Sequence, residues 1–287
     1  MKLSIIVVSY GVRDALARCL SSLLREDCDE IVVVDNASPD DSVELVRERF
    51  PEVILLALSE NRGFSAAVNA GAARATGDAL LLLNPDTELP SGALARIAES
   101  LVTRPEAGAI GFRQVDAEGT FQLSLGLRPG VLSELLRRFT QRRLDRDDRK
   151  LAAFLDRILS APRPVPWVSA ASMIIRRDAF DAVAGFDEGF FLYFEDVDFC
   201  LRLTRAGRRI YYDPTVTVLH HRGVSARAAP ELASRAYRRS QLRFWEKHKG
   251  RHARRVVELY LKARGCSPGP DPVSRPASQD ESPGVRP

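Results

Sequence analysis

Four apolar runs recur in the first 83 residues, each separated from the next by a segment with helical spacing, and no other feature restricts the fold of this chain as strongly. Lys2 to Tyr10 is the first run, and Arg13 to Leu24 follows with Leu16, Leu20, Leu23 and Leu24 on one helical face. Glu30 to Val34 is the second run and leads into Asp35-Asn36-Ala37-Ser38-Pro39. Ser38 is placed to cap a helix starting at Pro39, with Asp40 and Asp41 in its first turn. Val53 to Leu58 is the third run. Asn61-Arg62-Gly63-Phe64 then opens a helix of small residues that reaches Thr76 and stops at Gly77. Ala79 to Leu83 is continuously apolar, the pattern of a strand covered on both faces.

Strands that alternate with helices specify a parallel α/β sheet. Ligands of such sheets bind beyond the carboxyl ends of the strands. The polar loops expected there are Ser9-Tyr10, Asp35-Asn36, Asn61-Arg62-Gly63 and Asn84-Pro85-Asp86.

Further along, Ser91 to Thr103 reads as a helix and Gly108 to Phe112 as a short strand. Residues 126–166 depart from the pattern, with two helical stretches around an Arg/Asp-rich segment, and are expected to form a mobile excursion. Trp167 to Ile175 returns to strand character, and Arg177 to Val183 is a short helix. Next comes Gly185 to Arg202, an aromatic and glycine-rich run that ends in Glu195-Asp196-Val197-Asp198. Gly207 fits a helix C-cap, and Arg209 to Pro214 and Val216 to His220 read as a strand pair. Ala233 to Ala263 is a basic, aromatic helical region with a break at Gly250, and the Pro/Ser-rich tail beyond Gly265 is expected to be disordered.

Charge and cysteine usage narrow the function. The net charge of +4 is modest and its excess lies in the C-terminal third, so it describes a local surface rather than a nucleic-acid-binding protein. Cys19, Cys28, Cys200 and Cys266 are scattered without C-x-x-C spacing, which fits a reduced, cytoplasmic protein. Leu3 to Val8 is too short to cross a membrane.

Several residues invite chemical readings, each beside a plainer one. Asp86 follows the most apolar strand through a rigid turn; it offers oxygen to a hard divalent cation, or simply forms an Asx-type turn. Asp35 at a strand end accepts from a base N–H or a ribose hydroxyl, or caps a helix. Gly63 and the small residues after it let a helix N-terminus approach phosphate, or pack a helix tightly on the sheet. His220 either completes a metal site with Asp86 or is structural. Glu195, Asp196 and Asp198 are functional acids, or an acidic first turn with Asp198 paired to Arg202.

Taken together, Ile6-Val7-Val8-Ser9-Tyr10, Val34-Asp35-Asn36-Ala37-Ser38, Glu60-Asn61-Arg62-Gly63-Phe64 with Asn69-Ala70-Gly71, Asn84-Pro85-Asp86, Gly185-Phe186-Asp187-Glu188 with Phe191 to Asp198, and His220-x-x-Gly223-x-Ser225 resemble the family 2 glycosyltransferases. The likeness is to their rhamnosyltransferase-like branch and spans Met1 to Ser225.

The resemblance implies a GT-A fold, a Rossmann-like nucleotide-diphospho-sugar transferase architecture with a mostly parallel central sheet and a C-terminal helical extension. Its catalytic domain would be 1–225, with a nucleotide-binding half at 1–112, the excursion at 126–166 and an acceptor half at 167–225, followed by a basic extension at 226–265 and a tail at 266–287. Matching motifs assign Asp196 as catalytic base with Glu195 beside it. Ser9, Tyr10, Asp35, Asn61, Gly63, Asn84 and Asp86 fall to the donor nucleotide, Asp86 and His220 to Mg²⁺ or Mn²⁺, and Trp167, Phe191 and Tyr193 to the acceptor side. Asn84 stands where the family's D-x-D has its first acid, Gly11 where Asn is common, and Ala170 where Gly is common.

The implied partners are a nucleoside-diphosphate sugar and a glycan or lipid-linked acceptor in cell-surface polysaccharide synthesis. With one plausible base and no nucleophile–base pair, single displacement with inversion is expected. Two other functions are weighed. A sugar-nucleotide nucleotidyltransferase would need an early Gly-rich triphosphate loop, which is absent; a non-catalytic nucleotide-binding module would not need Asp196. The basic helical region either packs on the catalytic domain or lies at the inner face of the cell membrane with Phe244 and Trp245 dipping into lipid.

Overall fold

In the computed structural model, which describes residues 1–223, 230–263 and 265, the early alternation forms one edge of a large sheet. Strands β1 (Leu3–Ser9), β2 (Glu30–Asp35), β3 (Ile54–Ala57) and β4 (Ala79–Leu83) lie parallel in the order β3-β2-β1-β4. They are joined by α1 (Arg13–Leu23), α2 (Ser42–Arg49) and α3 (Phe64–Arg74). Beyond β5 (Thr87–Glu88) and α4 (Ala93–Val102) comes β6 (Ala107–Val115). The sheet continues from β4 through β11 (Ser172–Arg176), antiparallel to both its neighbours, to β6, then β12 (Arg209–His220), and closes on β5.

The period of two along each strand divides the core between the two faces. Leu3, Ile5 and Val7 of β1 join Leu16, Leu20 and Leu23 of α1 and Ile97 of α4 on one side. Ile6 and Val8 join Val68 of α3 and, farther along the same face, Phe199 and Leu203 of α8 (Glu195–Arg205). Each fully buried side chain of this kind contributes about 1.5–3 kcal/mol relative to exposure. Gly71 makes the α3 contact close, since a Cβ there would meet the Ile6 side chain at 2.8 Å.

The excursion forms α5 (Val131–Leu144) and α6 (Arg149–Ile158), flanked by short pairs. β7 (Phe121–Gln122) pairs with β6, β8 (Leu125–Gly126) with β10 (Trp167–Val168), and β9 (Arg163–Pro164) with β12. After α7 (Arg177–Ala182) and α8, the C-terminal helix runs Pro230–Ala263 and breaks, as expected, at Gly250 (φ 84°, ψ 175°).

Some local expectations change. The helix expected at Pro39 starts at Ser42, and Ser38 caps nothing: its Oγ accepts the Gly11 N–H while its own N–H donates to Asp35. The expected strand Trp167 to Ile175 is two pieces, because the Ser169 N–H bonds to Ser124 and the Ala171 carbonyl accepts from Asn84 instead of joining a ladder. The expected pair at 209–220 is one strand whose register against β6 slips between Asp213 and Thr217, around the Pro214 that has no N–H to donate. α3 stops at Arg74, and Gly77 serves not as its cap but as a close approach to β1, where an added Cβ would meet the Ser4 N at 2.6 Å. Ser225 and the tail from Cys266 lie outside the described residues.

Candidate active site

The carboxyl ends of β1, β4 and β12 and the loop before β11 open onto one cavity of about 740 Å³, within the usual range for a small-molecule site. Ser9, Tyr10, Asn61, Gly63, Asn84, Asp86, Trp167, Phe191, Tyr193, Glu195, Asp196 and His220 all line it. Asp35 does not: it is buried one layer behind, and Asn36 presents the wall instead. One Asp35 oxygen accepts the Ser38 N–H, while Oδ2 is buried without a partner.

At the end of β4 the backbone makes a β-turn, with the Thr87 N–H donating to the Asn84 carbonyl and Pro85 at the position that favours its fixed φ. The turn is a backbone one, not an Asx turn, and it aims Asp86 at the end of β12. There His220 Nε2 lies 3.3 Å from Asp86 Oδ1, and both residues are buried. Gln114 donates through Nε2 to Ser172 Oγ at 2.9 Å, so its Oε1 accepts from His220 Nδ1 at 3.0 Å. That network assigns the ring proton to Nδ1 and leaves the Nε2 lone pair facing a carboxylate oxygen that has no hydrogen-bond partner. Two lone pairs so placed repel unless a proton or a cation lies between them. The donor set, one carboxylate and one oriented imidazole, suits a divalent ion completed by diphosphate and water.

Across the cavity, Tyr193 and Phe194 both adopt left-handed backbone (φ 70° and 66°), a costly conformation for bulky residues. This corner swings the chain into α8 so that Glu195 and Asp196 enter at the helix N-terminus, whose partial positive charge suits them. Burial pushes Asp196 up to about 6, against the pull of the Val197 and Ala170 backbone and of the Arg137 charge. Burial, reinforced by Asp196 and Asp198, pushes Glu195 well above the usual carboxylate range, and its Oε2 has no partner. Both carboxyls face the cavity, and burial together with their mutual repulsion disfavours two negative charges there at once.

Asp198 has a different surrounding. It points away from the cavity, fully buried, and binds Arg202 (2.8 Å), Lys247 (2.7 Å) and His248 (2.8 Å). Gly63 also has a packing duty: at φ 84° a Cβ would meet the Phe191 carbonyl at 2.5 Å, and the Phe64 N–H donates to that same oxygen. Gly11, at φ 61°, stands in the left-handed region that Gly and Asn both reach, so its exchange for Asn keeps the backbone.

Other residues in and behind the cavity wall gave no signal in the sequence pattern. Arg137 of α5 pairs with Glu134 and donates to Tyr237 Oη at 2.8 Å, and Gln114 reads as an ordinary strand residue. The one available hint was a pair of amides, Gln114 and Gln122, inside otherwise apolar strand segments; Gln122 donates to the His220 carbonyl at 3.0 Å. Of the two readings of the basic helical region, packing on the catalytic domain holds for Phe244 and Trp245, and dipping into lipid does not. They are 1% and 6% exposed and belong to the core, on a helix held against the Leu192–Phe194 corner and Asp198 of α8. Among the described residues no helix is long and apolar enough to cross a membrane.

Comparison with known proteins places this geometry. The family model "Glycosyl transferase family 2" matches residues 4–182. The chain is 30% identical over 262 residues to an N-acetylglucosaminyl-diphospho-decaprenol L-rhamnosyltransferase of Mycobacterium tuberculosis (strain ATCC 25618 / H37Rv), covering 86% of this chain and 85% of that one. It is 29% identical over 243 residues to the O-antigen biosynthesis protein RfbC of Myxococcus xanthus, covering 79% of this chain and 18% of that one. Among solved structures it is similar to GalNAc-T7 with UDP, GalNAc and Mn²⁺ (TM-score 0.59, 14% identity, 93% of this chain and 55% of that chain). It is also similar to the mannosyltransferase PcManGT of Pyrobaculum calidifontis with GDP-Man and Mn²⁺ (TM-score 0.58, 18% identity, 93% and 76%). At those identities the likeness bears on the fold, which is GT-A. With the family match over more than half its length, the chain belongs to glycosyl transferase family 2.

Proposed function

We propose that this protein transfers a sugar from a nucleoside-diphosphate donor to a lipid-linked glycan acceptor in polysaccharide synthesis, with inversion at the anomeric carbon. One observation carries the proposal: Asp196, with a raised pKa, faces the same cavity as the buried Asp86–His220 pair. The acceptor hydroxyl oxygen forms a bond to the anomeric carbon as the bond to the diphosphate oxygen breaks, and Asp196 takes the hydroxyl proton. Asp86 and His220 would hold Mg²⁺ or Mn²⁺, which as a Lewis acid offsets the charge on the departing diphosphate. Asn36 and the partnerless Asp35 oxygen behind it suit the nucleoside, and Phe191 and Tyr193 the acceptor. The likeness to the mycobacterial L-rhamnosyltransferase makes rhamnose the first donor sugar, and a diphosphate-linked N-acetylglucosamine the first acceptor, to test. A nucleotidyltransferase is not favoured by the family match.

The test is transfer from thymidine-, uridine- and guanosine-diphosphate sugars to a prenyl-diphosphate N-acetylglucosamine with Mn²⁺ or Mg²⁺, with the new linkage read by NMR. The expected product has inverted anomeric configuration. Retained configuration or a trapped glycosyl-enzyme overturns the mechanism. Donors that raise the melting temperature without any transfer point to a binding module instead.

A further inference from the structure

Helix α5 is built the wrong way round for a globular protein. Leu132, Leu135, Leu136 and Phe139 recur at i, i+3, i+4 and i+7, the spacing of an apolar stripe that ordinarily faces the core. Here they are 80%, 51%, 51% and 61% exposed, while the polar side of the same helix, through Glu134, Arg137 and Gln141, lines the active cavity. Single exposed leucines are commonplace; an aligned stripe over two turns is not. Leu127, 60% exposed, lines the cavity as well and so joins the stripe to its mouth. The next helix, α6, exposes Phe154 and Ile158 too.

Charge identifies what covers this stripe. Residues 127–150 carry eight basic and four acidic side chains, and one of the acids, Glu134, is engaged by Arg137 and Arg138. Arg128, Arg142, Arg146 and Lys150 are exposed around the leucines. A second copy of the chain would bring this positive surface against itself in an isologous contact, which costs energy, whereas an anionic bilayer complements it. We propose that α5 is a membrane-docking helix: its apolar stripe sinks into the headgroup boundary of an anionic leaflet, its basic rim meets lipid phosphates, and the active cavity behind it opens toward the surface. Its purpose, to meet an acceptor that is itself anchored in lipid, rests on the function proposed above; the docking does not.

The test uses the full chain and vesicles of phosphatidylcholine with or without phosphatidylglycerol. The wild type is expected to co-sediment with the anionic vesicles and to be released by salt. The variant Leu132→Gln/Leu136→Gln/Phe139→Gln is expected to bind about tenfold more weakly at unchanged melting temperature, since these side chains are solvent-facing. Transfer to a short, water-soluble acceptor should be unchanged in the variant, while transfer to a vesicle-embedded acceptor falls. Failure of the wild type to bind anionic vesicles overturns the proposal, as does equal binding by the variant. So does a dimer, seen by light scattering, that the triple substitution dissolves in the absence of lipid. Vesicle binding without sugar transfer would leave the docking intact and refute the function; transfer without vesicle binding would do the reverse.

Discussion

Asp196 is balanced between burial, which raises its pKa to about 6, and the backbone at Val197 and Ala170 with Arg137, which pull it down. A base must be ionised to accept a proton, so transfer is expected to fall as pH drops through about 6 rather than near the ordinary carboxylate value. A profile of kcat/KM against pH checks this. Asp196→Asn is nearly isosteric and should lower transfer by about 10²–10⁴-fold while donor binding, read by thermal shift, survives. Gln114 acts one step behind. Gln114→Leu removes the acceptor for His220 Nδ1–H, and the apparent Mn²⁺ requirement is expected to rise by about 10–100-fold with little change at saturating metal. That Asp196, Asp86 and His220 share one cavity was legible because each belongs to a dense motif at a strand or helix end. Gln114 and Arg137 were not, since their roles come from which strand lies next to which, and sequence spacing does not record that.

Among elements, α8 and the C-terminal helix meet at a single buried carboxylate. Burial by itself would raise the Asp198 pKa, but hydrogen bonds from His248, Lys247 and Arg202 hold it down at about 2. An unfolded chain would bind that proton near 3.8, so between those values the unfolded state takes up more protons. The stabilisation, on the order of 2 kcal/mol, is complete above the unfolded value and is lost as pH falls toward 2. Asp198→Asn should therefore flatten the acid limb of a urea-unfolding series, and at neutral pH should cost about 1.5–3 kcal/mol by weakening the charge-assisted hydrogen bonds from Arg202 and Lys247, each of which keeps a second partner in Val183 and Asp187. An unchanged acid limb would show that the carboxylate is not the link. The i,i+4 pair with Arg202 could be read from the sequence. Lys247 and His248 lie about fifty positions away, and only the packing of the two helices brings them in. The same limit explains Ser38 and the 167–175 segment, where local propensity was right but tertiary hydrogen bonds took the backbone elsewhere.

For the whole molecule, the early parallel half could be read almost strand by strand, since each run there is short, apolar and punctuated. The role of the C-terminal helix could not, because a basic helix with interleaved aromatics has the same pattern whether it faces lipid or the rest of its own domain. Its aromatics in fact brace the active-site corner: Phe194 lies 5.4 Å from both Tyr237 and Phe244, Tyr193 lies 5.6 Å from Tyr237, and Ser240 Oγ donates to the Leu192 carbonyl. The left-handed pair Tyr193–Phe194 is strained backbone, of the kind that surrounding packing holds in place. Phe244→Ala empties a fully buried position, so about 3–5 kcal/mol of stability and roughly 10 °C of melting temperature should be lost. Phe244→Leu fills more of the space and should lose less. The decisive readout comes well below the melting transition, where bracing and mere stability part company. If the helix holds the corner, Phe244→Ala lowers kcat while donor affinity, set by the opposite wall, stays put; if kcat is unchanged there, the corner holds itself and the helix only adds stability.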